Sequence, residues 1–312
     1  MKIQFAVVFT LLSSLNALCI EPQYNKLPYI RLEPVSVGEV VIHNYYTLAY
    51  SEKNEQALWV FYLLTSNNFN SSIDRSDDFR ADPLVKTGSA TPADYKDSGT
   101  DRGHLCPAAD MKINETSISE SFYMSNMSPQ LPGFNRGTWN RLEALVREWA
   151  LIEDSLFIVT GPVFKDNLGV IGANNVTIPG YYYKVIYDPT KEKKMIAFLL
   201  RNSEKSQKIQ LHVVPTDSIE KLTGIDFFAG LPDEIENRLE KKTITGLWPF
   251  DSQSKINNNT KGKTNNNITE SIRCKGIAKS TGNRCKTMTK NPDGYCEDHQ
   301  KQAPNGGTRS RK

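Results

Sequence analysis

The sequence predicts a mixed α/β body of the α+β class, followed by a small Cys/His-rich module. Three observations carry that prediction. Strand-like and helix-like runs alternate irregularly between residues 40 and 250, without the regular βαβ repeat of a doubly wound sheet. One of them, residues 138–151, has a clear helical period. After residue 251 the composition turns to Asn, Lys and Thr, and three of the five cysteines and one of the four histidines gather near the end. With 312 residues, 38% hydrophobic and 23% charged, and a mean hydropathy of -0.48, the chain can build a sizeable core. The same composition excludes a wholly disordered chain and a multispan membrane protein.

The N-terminus has Lys2, an apolar run from Ile3 to Leu12, and small or polar residues before Cys19. This is the pattern of a secretory signal peptide over residues 1–19. The run is shorter than the roughly 20 residues of a membrane span. Ala17 and Cys19 suit the cleavage positions, while bulky Leu18 argues against a lipid anchor at Cys19. The expectation is a secreted chain, extracellular or periplasmic, with no membrane attachment after cleavage.

Residues 21–34 are irregular and proline-containing. Residues 40–50 and 57–65 are β-branched and aromatic runs around Ser51-Glu52-Lys53-Asn54-Glu55, which predicts a hairpin. Residues 66–100 form a long polar loop, and loops of that length in compact domains are usually functional. In the 138–151 helix, at about 100° per residue, Trp139, Leu142, Leu145, Val146, Trp149 and Ala150 share one arc that must face the core. Glu143 and Arg147, four apart, project side by side at the edge of that arc. Residues 156–160, 181–187 and 195–200 are strand-like, the first closed by Gly161-Pro162, and residues 219–222 and 232–241 predict two short helices. The expected division is a body over residues 20–251, an Asn/Lys-rich linker over 252–271, a Cys/His module over 272–300 and a basic disordered tail over 301–312.

Charge is unevenly placed. Residues 252–312 carry 13 Lys/Arg and 4 Asp/Glu, net +9, while the rest carries 25 basic and 31 acidic residues, net -6. A basic appendage on an acidic body is either a module that meets polyanions or a solvated, solubilising tail.

Polar motifs follow the long loop. Asp101-Arg102-Gly103-His104 precedes Leu105-Cys106-Pro107, then come Ser125-Asn126-Met127-Ser128-Pro129-Gln130 and the stretch from Asn135 through Glu143. Around them stand Ala93-Asp94-Tyr95, Thr160-Gly161-Pro162, Ile178-Pro179 with Lys184-Val185-Ile186, and Ala229-Gly230-Leu231-Pro232. In this order the motifs closely resemble the DNA/RNA non-specific endonucleases of the ββα-metal, or His-Me finger, superfamily, a group with secreted bacterial and mitochondrial members. The resemblance covers about residues 40–250. It implies a ββα-metal core with a central antiparallel sheet and flanking helices, and an enzyme that hydrolyses DNA and RNA with little sequence preference, leaving 5′ phosphates.

It also implies roles. Phosphodiester cleavage needs an activated water, charge stabilisation at phosphorus and help for the departing 3′ oxygen. His104 matches the general base, and an imidazole with an unperturbed pKa of about 6.5 is a suitable proton acceptor near neutrality. Arg102 and Gly103 frame it, the glycine leaving room where a side chain would crowd substrate. Asn135 matches the protein ligand of one divalent cation; an amide oxygen suits Mg²⁺, with Mn²⁺ a substitute, better than zinc. By resemblance, a water of that cation protonates the leaving group. Glu143 matches a residue that binds a water of the cation, and Arg147 one that stabilises the scissile phosphate; for an isolated helix the two would read as an ordinary surface pair. Asn126 matches an asparagine lining the site, so its Asn-Met-Ser glycosylation sequon is accidental. Arg75 is the candidate upstream phosphate-binding arginine, with Arg80 the alternative. Asp101 either supports the cation's water shell or is structural. Cys106 reads as a small buried hydrophobe, and His43 and His212 as structural.

The C-terminal set is Cys274-x10-Cys285-x10-Cys296-x2-His299. Three thiolates and an imidazole make a tetrahedral zinc set, and so short a segment needs a staple to fold. Export favours a disulfide instead, which leaves one thiol over unless Cys106 joins. Lys275, Lys279, Arg284, Lys286 and Lys290 surround the set and offer phosphate contacts, or the tail serves a protein partner. A rival for the whole chain is an inactive fold of the same kind that only binds nucleic acid.

Overall fold

The computed structural model describes residues 32–69, 72–190 and 192–250, together with residues 272, 273, 285, 287–289, 296, 299 and 302. The expected leader, the linker, Cys274 and nearly all of the basic tail lie outside the described residues. Contacts divide the chain into two units, Met1–Ser252 and Gln253–Lys312. Among the described residues no helix is long and apolar enough to cross a membrane.

In chain order the first unit contains β1 (Glu39–Ile42), β2 (Tyr46–Ser51), β3 (Gln56–Thr65), α1 (Pro92–Tyr95), β4 (Asp101–His104), α2 (Glu115–Glu120) and β5 (Met127–Gln130). A π-helical stretch, Phe134–Trp139, then runs into α3 (Asn140–Glu153). It is followed by β6 (Ser155–Val163), β7 (Val170–Ile171), β8 (Val176–Thr177), β9 (Tyr181–Asp188), β10 (Lys194–Arg201), β11 (Val213–Val214), α4 (Thr216–Thr223) and α5 (Asp233–Glu240). The second unit contributes β12 (Ile272–Arg273), paired antiparallel with β13 (Met288–Thr289).

Seven strands form one antiparallel sheet in the order β1-β2-β3-β6-β9-β10-β11. Helices cover both of its faces, so its central strands are apolar on both sides instead of alternating apolar and polar. In β3, Val60, Tyr62 and Leu64 join the core under α3, while Trp59 and Phe61 join the core under α4 and α5. The predicted buried arc of α3 is in place: Leu142, Leu145, Val146, Trp149 and Ala150 are all buried.

Three local expectations change. Residues 40–50 make two strands, because the chain turns at His43, whose backbone N–H donates to the Tyr46 carbonyl at 2.9 Å and whose Nε2 meets Asp82 Oδ2 at 2.9 Å. Gly161-Pro162 does not end β6, since both residues stay paired with β9, opposite Tyr183 and Tyr182. The proline is tolerated because pairing with β3 stops at Thr160. The glycine is required by close approach: a Cβ there would lie 2.3 Å from the Leu58 carbonyl oxygen. Finally, the 138–151 helix begins earlier, as a π-helical turn, which a search at the α-helical period does not register.

Candidate active site

The short strands β4 and β5 pair in the register Asp101↔Gln130, Arg102↔Pro129, Gly103↔Ser128 and His104↔Met127. After Gln130 the chain turns directly into the π-helical stretch and α3. Two strands and a helix thus bring His104, at the end of β4, to the same cleft as Asn135, in the first turn of the helical run. The cleft has a volume of about 370 Å³, and Arg75, Arg102, Glu143 and Arg147 also line it.

His104 is placed by packing. Its ring meets Phe122 edge-on at 5.0 Å between centroids and Phe79 at 5.8 Å. Among the described residues neither ring nitrogen hydrogen-bonds to protein, and Nε2 is sealed from solvent, which leaves Nδ1 as the nitrogen open to the cleft. Desolvation, reinforced by the guanidinium groups of Arg75 and Arg102, pulls the imidazole down from 6.5 to about 3. It is therefore neutral and able to accept a proton throughout the neutral range. The arginines are held by the same aromatic cage: Arg102 lies 3.9 Å over Phe79, and Arg75 lies 4.7 Å over Phe122. The long polar loop thus supplies both a cleft arginine and one side of the histidine's cage. Arg80, the alternative to Arg75, is engaged elsewhere, bonded to Asp78 and Ser119 and stacked on Tyr123.

Gly103 is needed for a reason other than substrate access. A Cβ there would sit 2.3 Å from Gln130 Cδ on the paired strand. The space it leaves belongs to the β4–β5 ladder.

The opposite wall is built from charges. Asn135 Nδ2 donates to Asp101 Oδ2 at 2.9 Å, which fixes the amide and leaves Oδ1 as its acceptor. Asp101 also accepts from Arg136 Nε at 2.8 Å. These bonds outweigh the burial that opposes them and hold its carboxyl below the ordinary range. Asp101 is thus the support of Asn135. Arg147 Nη1 donates to Asp110 Oδ1 at 2.9 Å, and Asp110 Oδ2 accepts from the Tyr62 hydroxyl at 2.9 Å. Glu143 and Arg147 make no salt bridge with each other among the described residues, so the ordinary surface pair that an isolated helix would suggest is not formed, and Arg147 is tied to the core instead. Burial pushes the Glu143 carboxyl up to about 7, against the pull of Lys184 and Arg147.

Asn126 is a correction. It is wholly buried and does not line the cleft. Its Oδ1 accepts from the Cys106 N–H at 2.8 Å, and its Nδ2 donates to the carbonyls of Cys106 at 2.9 Å and Ser121 at 2.8 Å. It clamps the chain just beyond His104 to the end of α2. Cys106 is buried with its thiol pushed up by desolvation, which makes it inert, as expected.

Sequence reasoning gave no role to Asp110 or Lys184. Lys184, on β9, is wholly buried, its Nζ has no hydrogen-bond partner among the described residues, and it lies 5.0 Å from the Trp139 ring. Burial pushes its ammonium down, while Glu143 and Asp110 oppose that shift. The signal was a lone charge inside the apolar run Tyr181-Tyr182-Tyr183-Lys184-Val185-Ile186-Tyr187.

Residues 31–234 match the family model described as DNA/RNA non-specific endonuclease. The chain belongs to that family. It is 32% identical over 216 residues to human mitochondrial endonuclease G, covering 64% of this chain and 72% of that protein. It is equally 32% identical over 216 residues to a nuclease of the cyanobacterium Nostoc, covering 65% and 78%. A crystal structure of an EndoG/EndoGI complex, from a study of EndoG inhibition, superposes with a TM-score of 0.60 at 33% identity, covering 68% of this chain and 92% of that one. This endonuclease therefore has the central antiparallel sheet and ββα core that its motifs implied, and nucleic acid is the substrate class of its family.

The expectation of secretion is corrected by the same comparison. Matched nucleases of human, cattle, Caenorhabditis elegans and Schizosaccharomyces pombe are mitochondrial by name. Export is therefore not a property that this endonuclease takes from its relatives, and residues 1–19 are not assigned as a secretory leader.

Proposed function

We propose that this endonuclease hydrolyses the phosphodiester bonds of both DNA and RNA, with His104 as general base and magnesium as its cation. The supporting observation is the meeting of a neutral imidazole, without hydrogen bonds to the described residues, and a fixed amide oxygen in one arginine-lined cleft. His104 takes a proton from water, the oxygen attacks phosphorus, the P–O3′ bond breaks, O3′ takes a proton from solvent and leaves as a hydroxyl, and the phosphate stays on the 5′ oxygen of the downstream nucleotide. Arg147, steadied by Asp110, and Arg75 and Arg102, steadied by aromatic rings, face the charge that grows on the phosphate.

The donor set fits a hard cation. Asn135 Oδ1 and the Glu143 carboxylate are oxygen donors, with no thiol or second imidazole among the described residues lining the cleft, a chemistry that suits Mg²⁺ or Mn²⁺. Asn135 would hold the ion directly and Glu143 through water. When bound, it supplies positive charge to the scissile phosphate and the departing oxygen. The backbone contacts of such a site carry no base information, so activity falls as salt rises. The basic stretch after residue 252 adds to substrate affinity in this reading.

The test is degradation of plasmid and of RNA by purified protein with magnesium, beside EDTA. Both substrates should be cut and both reactions should stop with the chelator. His104→Ala or Asn135→Ala should reduce cutting by roughly 10²-fold or more in a folded protein. Binding without cleavage in the unaltered chain would establish the inactive binding protein instead.

A further inference from the structure

The second unit carries a group of side chains that the nuclease chemistry does not use. Cys285 and Cys296 are buried at 8% and 5% exposure, and His299 is half-buried beside them. The two Sγ atoms lie 4.0 Å apart, and Cys296 Sγ lies 3.1 Å from His299 Nδ1. All three donor atoms fall within 4.8 Å of one another. A disulfide requires about 2.05 Å between sulfurs. Two thiolates on one tetrahedral zinc, each at about 2.3 Å, stand about 3.8 Å apart. The observed separation matches the second arrangement.

The backbone is shaped to the same end. The His299 N–H donates to the Cys296 carbonyl at 2.9 Å, a turn that brings the x2-spaced pair together. The Thr287 N–H points at Cys285 Sγ at 3.4 Å, a donor that favours sulfur as thiolate. Cys274 lies outside the described residues. Cys285 and Cys296 are the whole buried apolar cluster of this unit among the described residues. A unit with so little to bury needs another source of folding energy.

We infer that Cys285, Cys296 and His299 hold a structural zinc ion. Thiolate and imidazole donors are those of a structural zinc, so the ion folds the unit and takes no part in hydrolysis.

The experiment is elemental analysis of the full-length protein, purified without chelator, with thiol titration after denaturation in EDTA. One zinc per chain is expected, with every cysteine titrating as a thiol. Cys296→Ser and His299→Ala should each lose the zinc, whereas His299→Cys should keep it, since a thiolate can replace an imidazole as a zinc donor. The melting of the first unit should be the same in all three variants. Zinc at background in the unaltered chain, a pair of cysteines missing from the titration, or full zinc in Cys296→Ser would overturn the assignment. These readouts do not depend on catalysis, so they stand or fall apart from the nuclease reading.

Discussion

Both faces of the central sheet bury carboxylates whose protons are held too tightly, and the two faces do so for different reasons. Under α3, burial pushes Glu143 up to about 7, but Lys184 and Arg147 oppose the shift, and the group faces a cleft. On the other face, burial pushes Glu240 up to about 8 and Glu236 up to about 7. There every further influence is another carboxylate, from Asp217, Glu220 and Asp226 among others, and all of them add to the shift. The size of a perturbation therefore does not distinguish the site from the back of the molecule. What distinguishes it is convergence: cations, an unbonded imidazole and open space meet on one face only, among the described residues.

The most severe way to break the comparison is to remove the group that has no counterpart on the back. His104→Ala should lower kcat/KM by roughly 10²–10⁴-fold, the contribution of a general base. Stability should fall by only about 1 kcal/mol, because no hydrogen bond is lost and only the edge contacts with Phe79 and Phe122 go. The acid limb of kcat/KM in the unaltered enzyme should lie well below pH 6.5, since that parameter reports the free enzyme, whose imidazole is held down. A limb at the ordinary histidine value would show that desolvation and the two arginines do not act on this ring.

Next in size is Asp110→Ala, which removes the buried carboxylate that ties Arg147 to Tyr62. Leaving a partly buried guanidinium without its partner should cost about 3–5 kcal/mol in urea unfolding, with activity falling as well. Stability unchanged within error would mean that Arg147 is free to find substrate without this tie.

Asp110 also shows where reading the chain alone stops. His104, Asn135, Glu143 and Arg147 were legible because each belongs to a local string or to one helical face. Their supports were not, because they come from far away in sequence: Asp110 is 37 residues from Arg147, and Lys184, buried on β9, acts on Glu143 by its charge. Asn126 was misplaced for a related reason. Its position beside β5 is evident in the sequence, but the direction of its side chain, inward to Cys106, is decided by packing. The strands were legible from apolar runs, yet Gly161-Pro162 looked like a stop because local propensity does not report the pairing with β9 that carries the strand onward.

A smaller effect separates the opposed from the unopposed carboxylates. Lys184→Met removes a buried charge with little change in volume, so folding should be neutral or slightly improved. Glu143 then loses the largest influence holding its carboxyl down. Its pKa should rise above about 7, leaving less of it ionised at neutrality, and any limb of the kcat profile that it governs should move toward alkaline pH. A variant that loses activity equally at every pH would assign Lys184 to packing alone.

The smallest effect belongs to the back face and concerns stability only. Glu240 is raised on folding, so the proton is bound more tightly in the folded chain than in the unfolded one. Its favourable contribution is complete below pH 4.5 and is lost as pH rises toward about 8. Glu240→Gln cannot ionise and should escape that loss. Its Tm should match the unaltered chain near pH 4.5 and exceed it increasingly toward pH 8, by about 2–4 °C for each kcal/mol regained. Nuclease activity should stay the same, because nothing at Glu240 reaches the cleft. A Tm difference that does not vary with pH would mean that α4 and α5 relax to let water or counterions reach these carboxylates. The two faces would then differ in rigidity as well as in charge, with only the α3 face holding its ionisable groups firmly in place.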